Sequence, residues 1–84
     1  MVVSGLVQGV GFRYFVYHRA KSFGLVGYVQ NIYSGEVEIE IEGDRSMIEE
    51  FIKEVKVGPR ASHIKGLKIE WLTCSKSYTN FEIQ

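Results

Sequence analysis

The stretch that organises this chain is Gln8-Gly9-Val10-Gly11-Phe12-Arg13, which joins two segments of different pattern. Its two glycines predict a tight turn of the main chain. Apolar residues recur at helical spacing directly after the turn and predict a helix over residues 12–23. The stretch therefore predicts a glycine-bearing loop that leads into a helix N-terminus, with an arginine in the first helical turn.

These features together favour an anion. The first N–H groups of a helix lack partners within the helix, and the helix dipole places partial positive charge at the same end. The guanidinium of Arg13 adds a planar fork of donors that suits phosphate oxygens. We call residues 8–13 the anion loop. The spacing alone is more typical of an ordinary turn before an amphipathic helix, whose arginine points into water.

Length and composition predict one domain over residues 1–84, because 84 residues leave no room for a second. Ten basic and ten acidic residues cancel, which argues against nucleic-acid binding driven by net positive charge. The single cysteine, Cys74, cannot form an internal disulfide, and with two histidines it gives no metal-ligand spacing. We expect Cys74 to be a structural or exposed thiol.

No apolar run approaches the roughly 20 residues that a membrane-spanning helix needs. The first residues also lack the basic and apolar regions of a signal peptide. These features favour a cytoplasmic protein without a membrane partner.

Periodicity along the rest of the chain predicts alternating strands and helices, with a fold of the α+β class. The glutamates between Val37, Ile39 and Ile41 fit a sheet with one solvated face. Trp71 fits a core position, whereas His18 lies off the apolar stripe of its helix and fits a solvated one. The predicted elements are strand 2–7, helix 12–23 ended by Gly24, strand 25–31, a strand of alternating residues up to Glu42, a helix capped by Asp44 or by a Ser46–Glu49 capping box and ended by Gly58-Pro59, strand 63–73, and a last short strand over Phe81 and Ile83.

Val7 to Arg13 resembles the VQGVGFR signature of the acylphosphatase family. The segments 27–31 and 34–38 resemble two further family motifs, usually written GWVRN and DGxVE. Gly58-Pro59 and the closing residues 81–83 also fit, so the resemblance covers nearly the whole chain. It implies a ferredoxin-like βαββαβ sandwich, with a mainly antiparallel sheet and two helices on one face.

The resemblance also implies a function. A small acylphosphatase hydrolyses an acyl phosphate to a carboxylate and inorganic phosphate, with no cofactor and no metal, and we expect it to act as a monomer. The implied phosphate-binding residues are Gln8, Gly9, Val10, Gly11, Phe12 and Arg13. The implied catalytic residues are Arg13, which holds the phosphate, and Asn31, which orients the attacking water. The bound phosphate would take the proton of that water.

The residues themselves support this chemistry. No Ser, Cys, Asp or His lies between Gln8 and Arg13, so the loop offers no nucleophile for a phosphoenzyme route. The amide of Asn31 has a donor and an acceptor but no useful base strength, so it can position a water without deprotonating it. Such a site suits a carboxylate leaving group, because a loose phosphoryl transition state needs little nucleophilic push.

The chain departs from the family pattern at Tyr28, where Trp is usual, at Gln30, where Arg is usual, and at Leu6, where a basic residue is frequent. The last two changes remove positive charge and bear on affinity more than on mechanism.

Two other functions stay open. One is a catalytically silent phosphate- or acyl-phosphate-binding module related to the N-terminal domain of carbamoyl-phosphate-handling proteins. The other is an RNA-binding module, which the glutamates of the third strand disfavour.

Overall fold

The computed structural model describes residues 1–72 and 78–84. The predicted order of elements is confirmed, and each bound falls within one residue of its prediction except at the end of the fourth strand. The elements are β1 (Val2–Leu6), α1 (Phe12–Ser22), β2 (Val26–Asn31), β3 (Val37–Glu42), α2 (Arg45–Val57), β4 (His63–Lys68) and β5 (Phe81–Ile83).

The strands form one five-stranded sheet in the order β4-β1-β3-β2-β5. β3 is antiparallel to both β1 and β2, and β1 is also antiparallel to β4, whereas β5 runs parallel to β2. The predicted mainly antiparallel sheet is therefore confirmed. Because β1 and β2 are each antiparallel to β3, they run in the same direction and end at the same edge of the sheet. That edge carries both the anion loop and Asn31.

Both helices cover one face of the sheet, as predicted, and the core lies between the two layers. The apolar positions of β3 and the helical stripes supply it, because alternation and helical spacing each bring one apolar face together. The fully buried cluster consists of Val3, Val7, Phe12, Val16, Ala20, Leu25, Val29, Val37, Ile39, Phe51, Val55 and Phe81.

The ends of the helices follow local chemistry. Gly24 adopts a positive φ of 70° just after α1 and closes that helix, as predicted. Asp44 caps α2, and its carboxylate accepts a 2.9 Å hydrogen bond from the main-chain N–H of Ser46. The alternative prediction of a capping box on Ser46 is wrong, because the carboxylate of Glu49 accepts from the Arg45 side chain instead.

The fourth strand is shorter than predicted. Its last residue, Lys68, lies opposite Val2, the first residue of β1, so β1 offers no further rung for the residues after Lys68. The prediction of a core position for Trp71 is therefore wrong: the residue is 50% exposed, and the Arg45 guanidinium lies 4.3 Å from its ring centroid. The predicted end of this strand at residue 73 and the expectation for Cys74 lie outside the described residues.

Candidate active site

The anion loop is held at both ends by buried side chains. Val7 precedes it and Phe12 belongs to it, and each is 1% exposed. Between them Gly9 and Gly11 adopt φ angles of 74° and 76°, in the left-handed region that favours glycine. Space within 4 Å of both glycines is open on the side where a Cβ would stand. The loop therefore brings its main chain to the surface without side chains in the way.

Helix α1 begins at this loop without a side-chain cap. Gly11 occupies the cap position, and the first helical hydrogen bond runs over 3.0 Å from the N–H of Phe15 to the Gly11 carbonyl. The N–H groups of the first helical turn, before Phe15, have no helical acceptor. Since the helix dipole adds partial positive charge at this end, the start of α1 has the electrostatics of an anion site.

Arg13 lies on the first turn of α1 and is half-buried. Its Nη1 donates a 2.9 Å hydrogen bond to the main-chain oxygen of Gln84. The N–H of Gln84 in turn donates to the Val29 carbonyl over 2.8 Å. The guanidinium has further N–H donors besides this one. The contact holds it beside Gln84, which is itself bonded to β2.

Asn31 is the last residue of β2 and lies opposite Val37 of β3. It is exposed, whereas Val29 on the same face of the strand is fully buried. The turn that follows Asn31 touches the anion loop, because Nε2 of Gln8 donates to the carbonyls of Ile32 and Glu36 over 3.0 and 2.9 Å. The structure thus brings the first and second sequence motifs together at one edge of the sheet.

Two contacts at this edge have no signal in the sequence. The hydrogen bond from Arg13 to Gln84 joins residues 71 apart, and the side-chain bonds of Gln8 reach 24 and 28 residues along the chain. We expected Gln8 among the phosphate-binding residues, but both hydrogens of its amide nitrogen face main-chain carbonyls. Its main-chain N–H is the donor that remains for a phosphate.

The outer face of the sheet is more structured than a simple solvated face. The hydroxyl of Tyr28 donates to Glu38 over 2.8 Å, and Nε2 of Gln30 donates to the same carboxylate oxygen over 2.7 Å. Partial burial and the Glu38 carboxylate raise the pKa of Tyr28 well above its usual value of 10.0. Gln30, a departure from the family pattern, is therefore engaged with Glu38. Leu6, which also departs from the family pattern, is exposed.

A cavity of about 520 Å³ lies at the opposite edge of the sheet, beside the start of β1 and the end of β3. Glu38, Glu40, Glu42 and Trp71 are among its lining residues. A phosphate dianion would meet like charge there, so the cavity does not suit the substrate that the sequence indicates.

Residues 1–72 and 78–84 also bear on two other kinds of site, a metal centre and a membrane-spanning helix. This part of the chain has no group of three or more His, Cys, Asp or Glu side chains arranged to hold a metal ion. In the same residues, neither helix has the length and apolar character needed to span a bilayer. His18 is exposed, as predicted.

The chain has a ferredoxin-like α+β fold, and its glycine-bearing anion loop leads into the uncapped N-terminus of α1. The sequence model of the acylphosphatase family matches residues 1–83. The chain belongs to the acylphosphatase family.

Individual relatives agree with this membership. An acylphosphatase from Vibrio vulnificus is 48% identical over 82 residues, which cover 98% of this chain and 90% of the relative. The crystal structure of acylphosphatase from Bacillus subtilis superimposes with a TM-score of 0.95 at 36% identity, covering 99% of this chain and 92% of the other. The membership and the names of these relatives assign the hydrolysis of acyl phosphates to this chain, as predicted.

A third match concerns a larger protein. The crystal structure of full-length HypF, in its phosphate- and nucleotide-bound form, is similar with a TM-score of 0.89 at 39% identity. The match covers 99% of this chain but 11% of HypF. It marks HypF as a structural neighbour and does not favour the alternative of a silent binding module.

Proposed function

We propose that the anion loop and Arg13 bind the phosphoryl group of an acyl phosphate, while Asn31 orients the water that attacks it. The observation that carries this assignment is the uncapped start of α1 with Arg13 on its first turn. Main-chain N–H groups of residues 8–13 would surround the phosphoryl oxygens, and the guanidinium would hold two of them as a fork. The substrate is a small molecule, and one product is inorganic phosphate.

The reaction is a direct displacement. The oxygen of water forms a bond to phosphorus while the bond between phosphorus and the acyl oxygen breaks, and the acyl group leaves as a carboxylate. The proton of the water passes to a phosphoryl oxygen, because the amide of Asn31 has too little basicity to accept it. A carboxylate leaves easily, so a loose transition state needs positioning and charge stabilisation more than a base.

The edge of the sheet supports this division of roles. Asn31 and the anion loop lie at the ends of two parallel strands, and the turn after Asn31 is hydrogen-bonded to Gln8 of the loop. A phosphoryl group at the start of α1 would thus have the Asn31 amide on its β2 side. The exposure of Asn31 and of both loop glycines leaves the site open to water and substrate.

A phosphate-release assay tests the proposal. The chain should release phosphate from a simple acyl phosphate such as benzoyl phosphate, and far more slowly from a phosphomonoester, whose alkoxide leaves poorly. A protein that binds phosphate but releases none from the acyl phosphate would be the silent module instead. Loss of release in Arg13→Ala and in Asn31→Ala, with Arg60→Ala as a control on an exposed turn, ties the activity to this site.

We propose further that residues 1–84 act as one domain and as a monomer in the cytoplasm. One continuous core that joins both helices and the sheet supports a single domain. The single cysteine is in keeping with a reducing compartment. Light scattering across a range of concentrations tests the monomer, and a constant mass of one chain is the expected result.

A further inference from the structure

The side chain of Gln8 makes a hydrogen-bond pattern that phosphate binding does not require. Its Nε2 atom donates to the Ile32 carbonyl over 3.0 Å and to the Glu36 carbonyl over 2.9 Å. Because both partners are acceptors, only the nitrogen of the amide can serve them, which fixes the orientation of the group. Both of its hydrogens are used inside the protein.

The turn that Gln8 holds is already closed by its own main chain. The N–H of Ile32 donates to the Glu36 carbonyl over 2.9 Å, and the N–H of Gly35 donates to the Ile32 carbonyl over 3.0 Å. Each of the two carbonyls thus accepts one bond from the turn and one from Gln8, which fills both lone pairs. What Gln8 adds is the attachment of this turn to the anion loop.

Asn31 lies between two fixed points. On one side it is the last rung of the ladder between β2 and β3, opposite Val37. On the other side it is followed by Ile32, whose carbonyl Gln8 holds. Loss of the two hydrogen bonds from the Gln8 side chain would therefore change the position of Asn31 relative to the start of α1. Displacements of about 1 Å in a catalytic site cost on the order of 10²-fold in rate.

We propose that the Gln8 side chain is a positioning residue that sets the place of Asn31 relative to the bound phosphoryl group. The proposal rests on the function proposed above for Asn31. The side chain does not contact substrate: it acts through the turn of residues 32–36. The main-chain N–H of Gln8 keeps the separate role of donating to the phosphate. Gln8 would therefore bind phosphate through its main chain and position Asn31 through its side chain.

The test combines Gln8→Leu with Asn31→Ala. Alone, Gln8→Leu should lower kcat for an acyl phosphate at least tenfold and change the dissociation constant of inorganic phosphate by less than threefold. In the Asn31→Ala background the same substitution should change kcat by less than threefold, because the group that it positions is gone. Ser34→Ala is the matched control: it removes the 2.7 Å bond to Glu36 in the same turn but leaves both carbonyls with Gln8.

The outcomes separate the two claims. An equal loss of kcat in both backgrounds would overturn the positioning role of Gln8 while leaving that of Asn31 intact. Wild-type turnover in Asn31→Ala would overturn the role of Asn31, and the role of Gln8 with it. Unchanged kcat in Gln8→Leu alone would overturn the proposal for Gln8 only.

A second variant, Gln8→Glu, keeps the shape of the side chain and serves if Gln8→Leu fails to fold. Its ionised carboxylate has no donor and faces two carbonyl oxygens, whereas the protonated acid has one O–H donor. Its kcat, divided by that of the wild type, should therefore rise as the pH falls from 7 to 5. A ratio that stays flat over this range would contradict the proposal.

Discussion

Arg13 is joined to Gln84 by a 2.9 Å hydrogen bond from its Nη1 to the main-chain oxygen of Gln84. Gln84 also donates its N–H to Val29 of β2, so it links the first turn of α1 to the strand that carries Asn31. The link restrains the long arginine side chain before any phosphate binds. A restrained guanidinium loses less conformational entropy on binding its ligand.

Removal of the Arg13 fork should impair binding and rate together. Charge-assisted hydrogen bonds are lost in both ground and transition states, so the dissociation constant of phosphate should rise by about 10- to 100-fold in Arg13→Ala. Arg13→Lys should recover little, because a point charge cannot make two parallel bonds. Isothermal titration with phosphate, beside kcat and KM for an acyl phosphate, measures both effects. Full recovery in Arg13→Lys would show that charge alone suffices.

Phosphate should stabilise the folded protein through the same site. A ligand that binds only the folded state at about 100 times its dissociation constant adds roughly 2.7 kcal/mol, which raises the melting temperature of a domain this size by roughly 10–20 °C. Thermal melts of wild type and Arg13→Ala in phosphate, with chloride at matched ionic strength as the control, measure the shift. The same shift in both proteins would place the anion site elsewhere.

Hydrolysis should not depend on a metal ion. The described residues hold no group of His, Cys, Asp or Glu side chains suited to one, and the proposed roles belong to Arg13, Asn31 and main-chain donors. Turnover in excess EDTA should equal turnover in untreated buffer. Activity that falls with the chelator and returns with added Mg²⁺ would contradict this account.

Tyr28 should ionise at a higher pH than a tyrosine in water. Burial, and to a lesser degree the hydrogen bond to Glu38, raises the pKa of Tyr28 above 10.0. Because the folded state favours the neutral phenol, the contribution of Tyr28 to the free energy of unfolding is fully present below pH 10. That contribution is lost as the pH rises through the folded-state pKa. A pH titration followed by tyrosinate absorbance should show a late phase, at higher pH than the titration of N-acetyltyrosinamide. This phase should lose amplitude in Tyr28→Phe and move to lower pH in Glu38→Gln. A late phase of unchanged amplitude in Tyr28→Phe would contradict the assignment. Tyr78, whose pKa is also raised, contributes to the same phase.

Local pattern was sufficient to predict most of the fold. The alternation from Val37 to Glu42 and the helical stripe from Phe12 to Ala20 each mark one apolar face, and those faces meet in the core. The end of β4 was not predictable in this way. Alternation continues through Ile69 and Trp71, but a strand needs a partner, and β1 reaches only to the rung between Val2 and Lys68.

The candidate site was predictable only in its local parts. The glycines, Arg13 and the uncapped helix start form one continuous stretch of sequence, and the family motif marks Asn31. The bonds that arrange these parts cross the fold: Gln8 reaches the turn after Asn31, and Arg13 reaches Gln84. Such contacts depend on the order of the strands in the sheet, in which β3 separates β1 from β2 and β5 pairs with β2. The residue pattern alone does not specify this order.

The division of roles between Arg13 and Asn31 is the central claim, and folded Asn31→Ala tests it most directly. The water that Asn31 is proposed to orient is not part of the bound substrate, so loss of the Asn31 amide should leave phosphate affinity within about threefold of wild type. Turnover should fall on the order of 10²–10³-fold, as when one positioned catalytic hydrogen-bonding group is removed. Asn80→Ala, at another exposed asparagine, serves as the control and should change neither value. The measurement is the dissociation constant of phosphate beside kcat in the same preparation of Asn31→Ala. Collapsed turnover with near-normal affinity is the predicted result, and an affinity that falls as steeply as turnover would show that Asn31 binds phosphate rather than water.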